Sequence, residues 1–464
     1  MKKRFPNIVL IVCDTLGAKH MSLYGYWRKT TPMLEKMVEK DNFAIYTRCF
    51  SPAPWTVPAH VSLFTGLYPS EHLTDGDKLF LSKNFYTLPE IVKNAGFTTI
   101  GITNNALVSR LFGYARGFDK FYEVWNIFEE KDNEKAIVSN FLKKTDLEKI
   151  KFLLKSSSRF PLKVLFKVVV NGVYKKLRPL SKDASSFTLK SFKIYKKILK
   201  ECRQPFFIFI NLMQTHDKYN PPQKYRNIFI KDNPKLEHRH RKETEYLHYA
   251  IKPFEKNYLE YMEGLYDEEI LFLDEILFRM YEEIKKLKIQ DNTLFIITAD
   301  HGELFGEHGH VHHLFTTYNE LIHIPLIISY PKEYGIKGEI NNLVQLHDLF
   351  ATIHSIVESP LPAPNSSIAL MGNEKRDFAC SQLLDVGFKI DACKEKNPDF
   401  DPDNFSFNCK EIALINKDLY KLIKRSNGQQ ELYNLQKDLY ETQDLMKLRN
   451  MNIPEINFPK FELL

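Results

Sequence analysis

Short apolar runs alternate with longer segments of mixed polarity along most of this chain. The runs are nearly continuous in apolar character, which is typical of strands that are covered on both faces of a sheet. Segments 31–40, 87–95 and 255–289 instead place apolar residues at the spacing of an amphipathic helix, so they predict helices. The strands predicted from the apolar runs are 7–13, 43–49, 98–103, 206–212, 293–299 and 324–329.

Strands that alternate with helices predict an α/β fold with a largely parallel sheet. In such sheets, ligands bind at the carboxyl ends of the strands. Polar residues that suit a metal ion or an anion directly follow four of the predicted strands. They are Asp14, Asn104, His216 and the pair Asp300 and His301. We therefore expect these side chains to meet at one edge of the sheet.

The rest of the chain divides around this core. Segment 126–200 interrupts the alternation and is predicted to be a basic, helical insertion, since 149–178 holds nine Lys or Arg and no acid. A helix there would form a basic surface that contacts an anionic membrane or glycan, and the alternative is a solvated face of the insertion. Short strands near 411–424, after an irregular connection, predict a C-terminal subdomain over 363–464 that follows a catalytic domain over 1–362.

Composition and charge narrow the classes of function. The chain has 464 residues, a net charge of +7 and a pI near 8.7, which suit an anionic substrate. The basic segment lacks aromatic residues spaced for base stacking, so no nucleic-acid partner is expected. The N-terminal apolar run is short for a signal peptide, and no stretch approaches the roughly 20 apolar residues of a membrane span. We expect a cytoplasmic protein, at most peripheral to a membrane surface, whose oligomeric state the sequence leaves open.

Thr56 lies in a proline-rich loop that leads into a predicted helix. Three prolines within 52–58 stiffen this loop. A hydroxyl at the start of a helix commonly caps that helix. Alternatively, Thr56 is a nucleophile, because a bound cation lowers the pKa of a hydroxyl that it contacts. Backbone N–H groups at the helix start, and His60 one turn later, would then bind the anionic oxygens of a substrate.

Asp14 and the pair Asp300 and His301 are candidate metal ligands. A carboxylate directly after a buried strand is costly unless it has a partner, although Asp14 could also cap a helix. A carboxylate and an imidazole side by side suit Mn or Zn better than Ca. Segment 308–313, which follows the pair, holds four histidines, so we expect at least one of them in the same site.

Ten short motifs follow one another between residue 6 and about residue 445. They are 7–14, 56–69, 96–99, 117–119, 216–219, 300–303, 306–309, 320–326, 431–435 and 441–442. In this order they resemble the sulfatase family of the alkaline phosphatase superfamily. The resemblance implies a three-layer sandwich around a mostly parallel sheet, with a smaller C-terminal α+β subdomain.

The resemblance also implies one divalent metal ion, bound by Asp14, Asp300 and His301. Thr56 would be both a further ligand and the nucleophile. Cys13 stands where the family has another aspartate ligand, so Mn or Zn is favoured over Mg or Ca.

Other positions match residues that act on the transferred group. His60 stands where sulfatases have an arginine that supports the nucleophile. Asn104 stands where many of them have a lysine at the substrate anion. His216 matches a histidine that contacts the transferred group.

The histidine-rich segment supplies candidates for the acid that protonates the leaving group. His313 lies where related phosphonate and phosphodiester hydrolases place a histidine for this step. His308 and His310 are alternatives for the same role, and are otherwise expected to bind substrate.

The nucleophile departs from the sulfatase pattern. Sulfatases use Cys or Ser, oxidised to formylglycine, whereas the methyl group of Thr56 prevents formation of that aldehyde. The chain therefore looks more like the phosphotransferases of the superfamily, and we expect cleavage of a phosphate or phosphonate ester. The alternatives are a formylglycine-independent sulfatase, a phosphotransferase to a glycan or lipid acceptor, and a member without catalysis. A second metal is not expected, since Asp274 lacks the histidine four residues on that nucleotide pyrophosphatases have.

Overall fold

The computed structural model describes most of the chain. The predicted insertion over 126–200 is described only from residue 184 onward. The basic stretch 149–178 therefore lies outside the described residues, and its contact with a membrane or glycan stays a prediction. The described residues are 5–76, 78–125, 184–242, 255–385, 390, 393–395, 397–402, 408–448 and 458.

The strands carry labels in chain order. The first eight are β1 Asn7–Cys13, β2 Phe43–Tyr46, β3 Cys49–Phe50, β4 Thr98–Thr103, β5 Lys120–Glu123, β6 Phe206–Leu212, β7 Thr293–Ala299 and β8 Leu304–Phe305. The others are β9 Val311–His312, β10 Leu326–Ser329, β11 Gly338–Ile340, β12 Val344–Gln345, β13 Phe378–Leu383, β14 Glu411–Asn416, β15 Tyr420–Arg425 and β16 Gln430–Asn434.

A mostly parallel sheet of eight described strands forms the centre of the fold, as the sequence predicts. Its order is β11-β2-β10-β7-β1-β6-β4-β5. β1 pairs in parallel with β6 and β7, and β4 pairs in parallel with β5 and β6. β10 runs antiparallel to its neighbours β2 and β7. Every residue of β1, β6 and β7 is buried, which explains why their sequences show no polar alternation.

Four predicted strands have the observed bounds, namely β1, β4, β6 and β7. The predicted strand over 43–49 is instead two strands, because the chain leaves β2 at Thr47 and β3 pairs with β12 in a separate sheet. The predicted strand over 324–329 is shorter, as Pro325 has no N–H to give to a ladder and β10 begins after it.

Helices cover the sheet, and the predicted helices are confirmed with small changes at their ends. No helix among the described residues is both long enough and apolar enough to cross a membrane. The helices are α1 Pro32–Lys40, α2 Thr56–Thr65, α3 Pro69–His72, α4 Leu88–Asn94, α5 Ala184–Glu201, α6 Pro234–Lys242, α7 Lys256–Lys286, α8 Asn319–Ile322 and α9 Asp348–Ile356.

A second, antiparallel sheet lies in the C-terminal part, in the order β13-β14-β15-β16. The prediction of an irregular connection before the C-terminal strands is wrong at β13, which pairs with β14 over its whole length. This sheet shares a small apolar core with the main fold, in which Ala379 and Ile415 pack with Phe50 and Leu321. The domain boundary between residues 362 and 363 stays a prediction.

Helix α7 holds the loops that border the carboxyl edge of the main sheet. Three consecutive acids in its middle, Asp267, Glu268 and Glu269, are each fully buried. Asp267 bonds to His20 and Arg28 in the loop after β1. Glu268 accepts three backbone N–H groups from the loop after β6. The long helix therefore fixes two loops by buried hydrogen bonds as well as by apolar packing.

Candidate active site

The carboxyl ends of β1 and β7 bring three candidate metal ligands together. Cys13 pairs in register with Ala299, so the next residues, Asp14 and Asp300, leave the sheet side by side. His301 Nε2 lies 3.8 Å from Asp14 Oδ1 and 3.5 Å from Asp300 Oδ2. All three side chains are buried, and one ligand atom from each lies within 4.8 Å of the others.

The hydrogen bonds of the two carboxylates fit a cation between them. Asp14 Oδ2 accepts from Asn105 Nδ2 at 2.7 Å, and Asp300 Oδ1 accepts from the N–H groups of Thr15 and His301. The other oxygens, Asp14 Oδ1 and Asp300 Oδ2, are buried and have no hydrogen-bond partner among the described residues. Burial and then the charge of Asp14 raise the pKa of Asp300 well above its usual value, whereas burial lowers the pKa of His301 to about 4. A divalent cation would balance both carboxylates and bind the neutral imidazole.

Thr56 lies beside this cluster at the start of α2. Its Oγ1 lies 3.3 Å from His301 Nε2, and the residue is 3% exposed. Trp55 is the N-cap of α2, and the helix has no side-chain cap bond. Gly17 is likewise the residue before the first helical turn after β1. The alternatives in which Thr56 or Asp14 serves as a helix cap are therefore wrong.

His60 lies one turn further along α2, with both ring nitrogens engaged. Nδ1 donates to Thr56 O at 2.9 Å and lies 3.4 Å from Asp300 Oδ2. Nε2 lies 3.3 Å from Asn211 Nδ2, from which it accepts. The ring is fully buried, and burial lowers its pKa, so the imidazole is neutral near pH 7. The predicted donation of His60 to substrate oxygens stays a prediction.

The two asparagines after β4 point to different partners. Asn104 Oδ1 accepts from Ser191 Oγ of α5 at 2.7 Å, so its predicted role at the substrate anion stays a prediction. Asn105 is the residue that reaches the cluster, through its bond to Asp14. Asn105 carried no prediction from the sequence, where its place next to Asn104 is the signal that could have identified it.

His313 packs against His301, and His216 packs against His313. The His313 ring centroid lies 4.5 Å from that of His301 and 5.1 Å from that of His216. His313 Nδ1 lies 2.9 Å from Glu303 Oε1, and Tyr219 donates to Glu303 Oε2 at 3.0 Å. The structure therefore brings both predicted histidines to the cluster. Glu303 and Tyr219, which carried no predicted role, hold one of them.

A family model described as Sulfatase matches residues 6–359. The chain belongs to the sulfatase family. Arylsulfatase K of Canis lupus familiaris is 22% identical over 391 residues, which cover 79% of this chain and 66% of that protein. The chain thus spans about two thirds of the length of that relative.

Solved structures support the same fold. A phosphonate monoester hydrolase of Agrobacterium radiobacter has a TM-score of 0.67 at 17% identity, over 95% of this chain and 91% of its own. A 2-O GAG sulfatase has a TM-score of 0.65 at 16% identity, over 96% and 88% of the two chains. The predicted family and the alkaline phosphatase-like α/β fold are confirmed. Members of this family bind a divalent metal ion.

Cys13 is the residue that the resemblance to the sulfatase motif aligns with a further aspartate ligand. It is fully buried, and burial followed by the charges of Asp300 and Asp14 raises the pKa of its thiol. The thiol is therefore neutral, and it is not among the three clustered ligands. The ligand set thus contains one carboxylate fewer than the family pattern.

His308 and His310 lie near a different set of side chains. His308 Nε2 lies 3.2 Å from Glu320 Oε2, and its ring stacks on Tyr318 with centroids 3.7 Å apart. The His310 ring is 6.2 Å from Tyr318. His308, Glu320 and Glu441 form a second group of atoms that could hold a metal, apart from the cluster around Asp14. Their expected contact with substrate stays a prediction.

Lysines already neutralise this second group. Lys19 pairs with Glu307 and lies 3.7 Å from Glu320. Lys421 pairs with Glu441 at 2.7 Å, and both side chains are fully buried. A cation would meet two ammonium groups there, so this group is better described as an ion-pair network that joins the histidine-rich segment to the C-terminal sheet.

Proposed function

We propose that this sulfatase-family protein cleaves a phosphate or phosphonate ester, with Thr56 as the nucleophile. The observation that supports this most directly is the distance of 3.3 Å between Thr56 Oγ1 and His301 Nε2. The same ring nitrogen lies 3.8 Å from Asp14 Oδ1 and 3.5 Å from Asp300 Oδ2, two buried oxygens without a hydrogen-bond partner among the described residues. An alcohol in this setting is a candidate for covalent catalysis.

Asp14, Asp300 and His301 would hold one divalent metal ion, with Thr56 as a further ligand. When bound, the ion would supply positive charge that lowers the pKa of the Thr56 hydroxyl and offsets negative charge on the substrate. A ligand set of two carboxylates and one neutral imidazole favours Mn or Zn. Because Cys13 is not one of the ligands, the set has one carboxylate fewer, which supports the same preference for Mn or Zn.

Residues of the chain would supply the remaining steps. The first N–H groups of α2 have no acceptor within the helix and would bind the anionic oxygens of the substrate. With its hydroxyl proton already released to solvent, Thr56 Oγ1 would attack phosphorus as the bond to the leaving oxygen breaks, and His313 would give that oxygen a proton. Water or an acceptor alcohol would then displace Thr56 from the phospho-threonine, with His313 taking the proton back.

The nature of the nucleophile supports phosphorus over sulfur. Thr56 cannot form the formylglycine that sulfatases use, whereas an alcohol can carry a phosphoryl group directly. The fold of the phosphonate monoester hydrolase covers 95% of this chain. Its identity of 17% supports the architecture alone, so the substrate class depends on the chemistry of Thr56.

A matched pair of variants tests the proposal. Thr56→Val keeps the shape of the side chain and removes the hydroxyl, so we expect at least about a 1000-fold loss of ester hydrolysis with folding retained. Thr56→Ser keeps a hydroxyl and should retain a substantial fraction of the activity. Mass spectrometry of wild type during turnover should find a phosphoryl group on Thr56. Full activity in Thr56→Val would refute the covalent route.

A formylglycine-independent sulfatase is the second candidate, because curated relatives such as arylsulfatase K are sulfatases by name. Parallel assays with an aryl sulfate, a phosphate diester and a phosphonate monoester separate the two. A preference for the sulfate would favour this second candidate. Transfer to an added glycan or lipid alcohol, in place of hydrolysis, would identify a phosphotransferase.

A further inference from the structure

Glu303 lies at the centre of a buried hydrogen-bonded chain beside the active site. The carboxylate is fully buried, and its two oxygens have different partners. Oε1 is 2.9 Å from His313 Nδ1, and Oε2 accepts from Tyr219 OH at 3.0 Å. Burial and then the charge of Glu303 raise the pKa of Tyr219, so the phenol keeps its proton and donates.

Tyr219, at the far end of this series of hydrogen bonds, is also held in place. The Tyr219 ring stacks on His240, with centroids 5.6 Å apart and an interplanar angle of 12°. His240 Nε2 lies 3.2 Å from Tyr219 O, and both residues are at most 2% exposed. Tyr219 therefore has little freedom to leave Glu303, and Glu303 has little freedom to leave His313.

We propose that Glu303 is a positioning residue that holds His313 with a proton on Nδ1, and that Tyr219 in turn orients Glu303. A carboxylate that accepts from one ring nitrogen sets the tautomer and the rotation of the imidazole. Proton exchange with the leaving oxygen is thereby assigned to Nε2. In the charged form of His313, Nε2 gives its proton to the leaving oxygen, and in the neutral form it accepts a proton from the incoming water. This inference rests on the proposed function of His313.

The kinetic test compares leaving groups of different basicity in the metal-loaded enzyme. Aryl phenylphosphonate monoesters with phenol and with 4-nitrophenol as leaving groups are the probes. A poor leaving group needs the proton, so Glu303→Gln should lower kcat for the phenyl ester about 100-fold, with KM unchanged. The same variant should lower kcat for the 4-nitrophenyl ester by less than about 3-fold. His313→Ala should show the same selectivity between the two esters. The double variant Glu303→Gln with His313→Ala should lose no more kcat for the phenyl ester than His313→Ala alone.

Tyr219→Phe is the matched control, because it removes one bond to Glu303 and leaves the carboxylate next to His313. We expect a smaller loss that is again confined to the phenyl ester. Equal losses for both esters in Glu303→Gln and Tyr219→Phe, or additive losses in the double variant, would overturn the proposal.

A spectroscopic test decides the geometry independently of turnover. In protein labelled with ¹⁵N at histidine, wild type should show a slowly exchanging Nδ1 proton on His313, assigned by its loss in His313→Asn. The resonance should move or disappear in Glu303→Gln. An unchanged resonance, or none in wild type, would overturn the proposal. If wild type cleaves none of the esters while this proton depends on Glu303, the proposed function fails but the placement of the Nδ1 proton by Glu303 holds.

Discussion

Glu269 should make the stability of this protein fall as the pH rises. The carboxyl group is fully buried in α7, where it accepts from Gln214 Nε2 at 2.5 Å and from the N–H of Asn220 at 2.7 Å. These partners lie on either side of His216 in the chain. Burial is the largest influence on this group, and it raises the pKa of Glu269 from 4.5 to about 8 despite both hydrogen bonds.

The sign and size of this pH dependence follow from the difference in protons bound by the folded and unfolded states. Between pH 4.5 and pH 8 the folded protein keeps a proton on Glu269 that the unfolded chain has lost. The free energy of unfolding therefore falls as the pH rises, by about 1.4 kcal/mol for each pH unit, or about 5 kcal/mol over the whole interval. Below pH 4.5 both states are protonated, and the group contributes no pH dependence.

Glu269→Gln removes this titration and keeps the shape of the side chain. Gln214 Oε1 has no hydrogen-bond partner among the described residues, so after rotation of its amide it can accept from the new NH₂ group. The variant should become more stable than wild type as the pH rises, and the gap in the free energy of unfolding should widen by about 4 kcal/mol from pH 5 to pH 8.

Urea unfolding followed by circular dichroism at pH 5, 6.5 and 8 measures this gap. Glu260→Gln on the exposed side of the same helix is the control, and it should follow wild type at each pH because Glu260 is more than half exposed. Parallel curves for wild type and Glu269→Gln would mean that Glu269 is ionised in the folded protein, and the reasoning from burial would be refuted.

Three further predictions concern packing, a buried ion pair and the metal. A Cβ on Gly302 would lie 2.1 Å from Glu320 O. Gly302→Ala should therefore lower the free energy of unfolding, measured in urea, by about 3 kcal/mol or more. Gly17→Ala is the control, because the nearest contact of its Cβ would be at 3.5 Å, and it should change this free energy by less than about 1 kcal/mol. Lys421→Met leaves the buried carboxylate of Glu441 unpaired and should cost about 3–5 kcal/mol, most of which a second change, Glu441→Gln, should restore. Asp14→Asn should weaken metal binding by more than about 10-fold in elemental analysis after dialysis, with the circular dichroism spectrum unchanged.

The central sheet could be predicted from the sequence because its strands are buried on both faces. β1, β6 and β7 are apolar at nearly every position, which is the pattern of strands covered on both faces. β13 has the sequence Phe-Ala-Cys-Ser-Gln-Leu, in which the polar residues Ser381 and Gln382 are both buried. Gln382 Oε1 accepts from the N–H of Ser70, for example. A strand that buries polar groups against specific partners gives no periodic signal.

The meeting of Asp14, Thr56, Asp300 and His301 could also be predicted, since parallel strands place their carboxyl ends at one edge. The direction in which each side chain points beyond that edge could not be predicted from the sequence. Asn104 and Asn105 have the same chemistry, and only the path of the chain after β4 decides that the second one reaches Asp14. Sequence position fixes the strand from which a residue comes, whereas the backbone turn that follows fixes where it points.

Hydrogen bonding distinguishes the two acids beside His301 from Glu303 and Glu269. Glu303 and Glu269 use both carboxylate oxygens in bonds to the protein, whereas Asp14 and Asp300 each leave one oxygen without a partner in the described part of the chain. Burial of an oxygen without a partner costs free energy, so it persists where a ligand compensates for it. The sequence does not rank these four acids. Among them, the count of satisfied oxygens selects the two that lie beside His301. Glu268 also has one oxygen without a partner among the described residues, so the position next to His301 and Thr56 is needed as a second criterion.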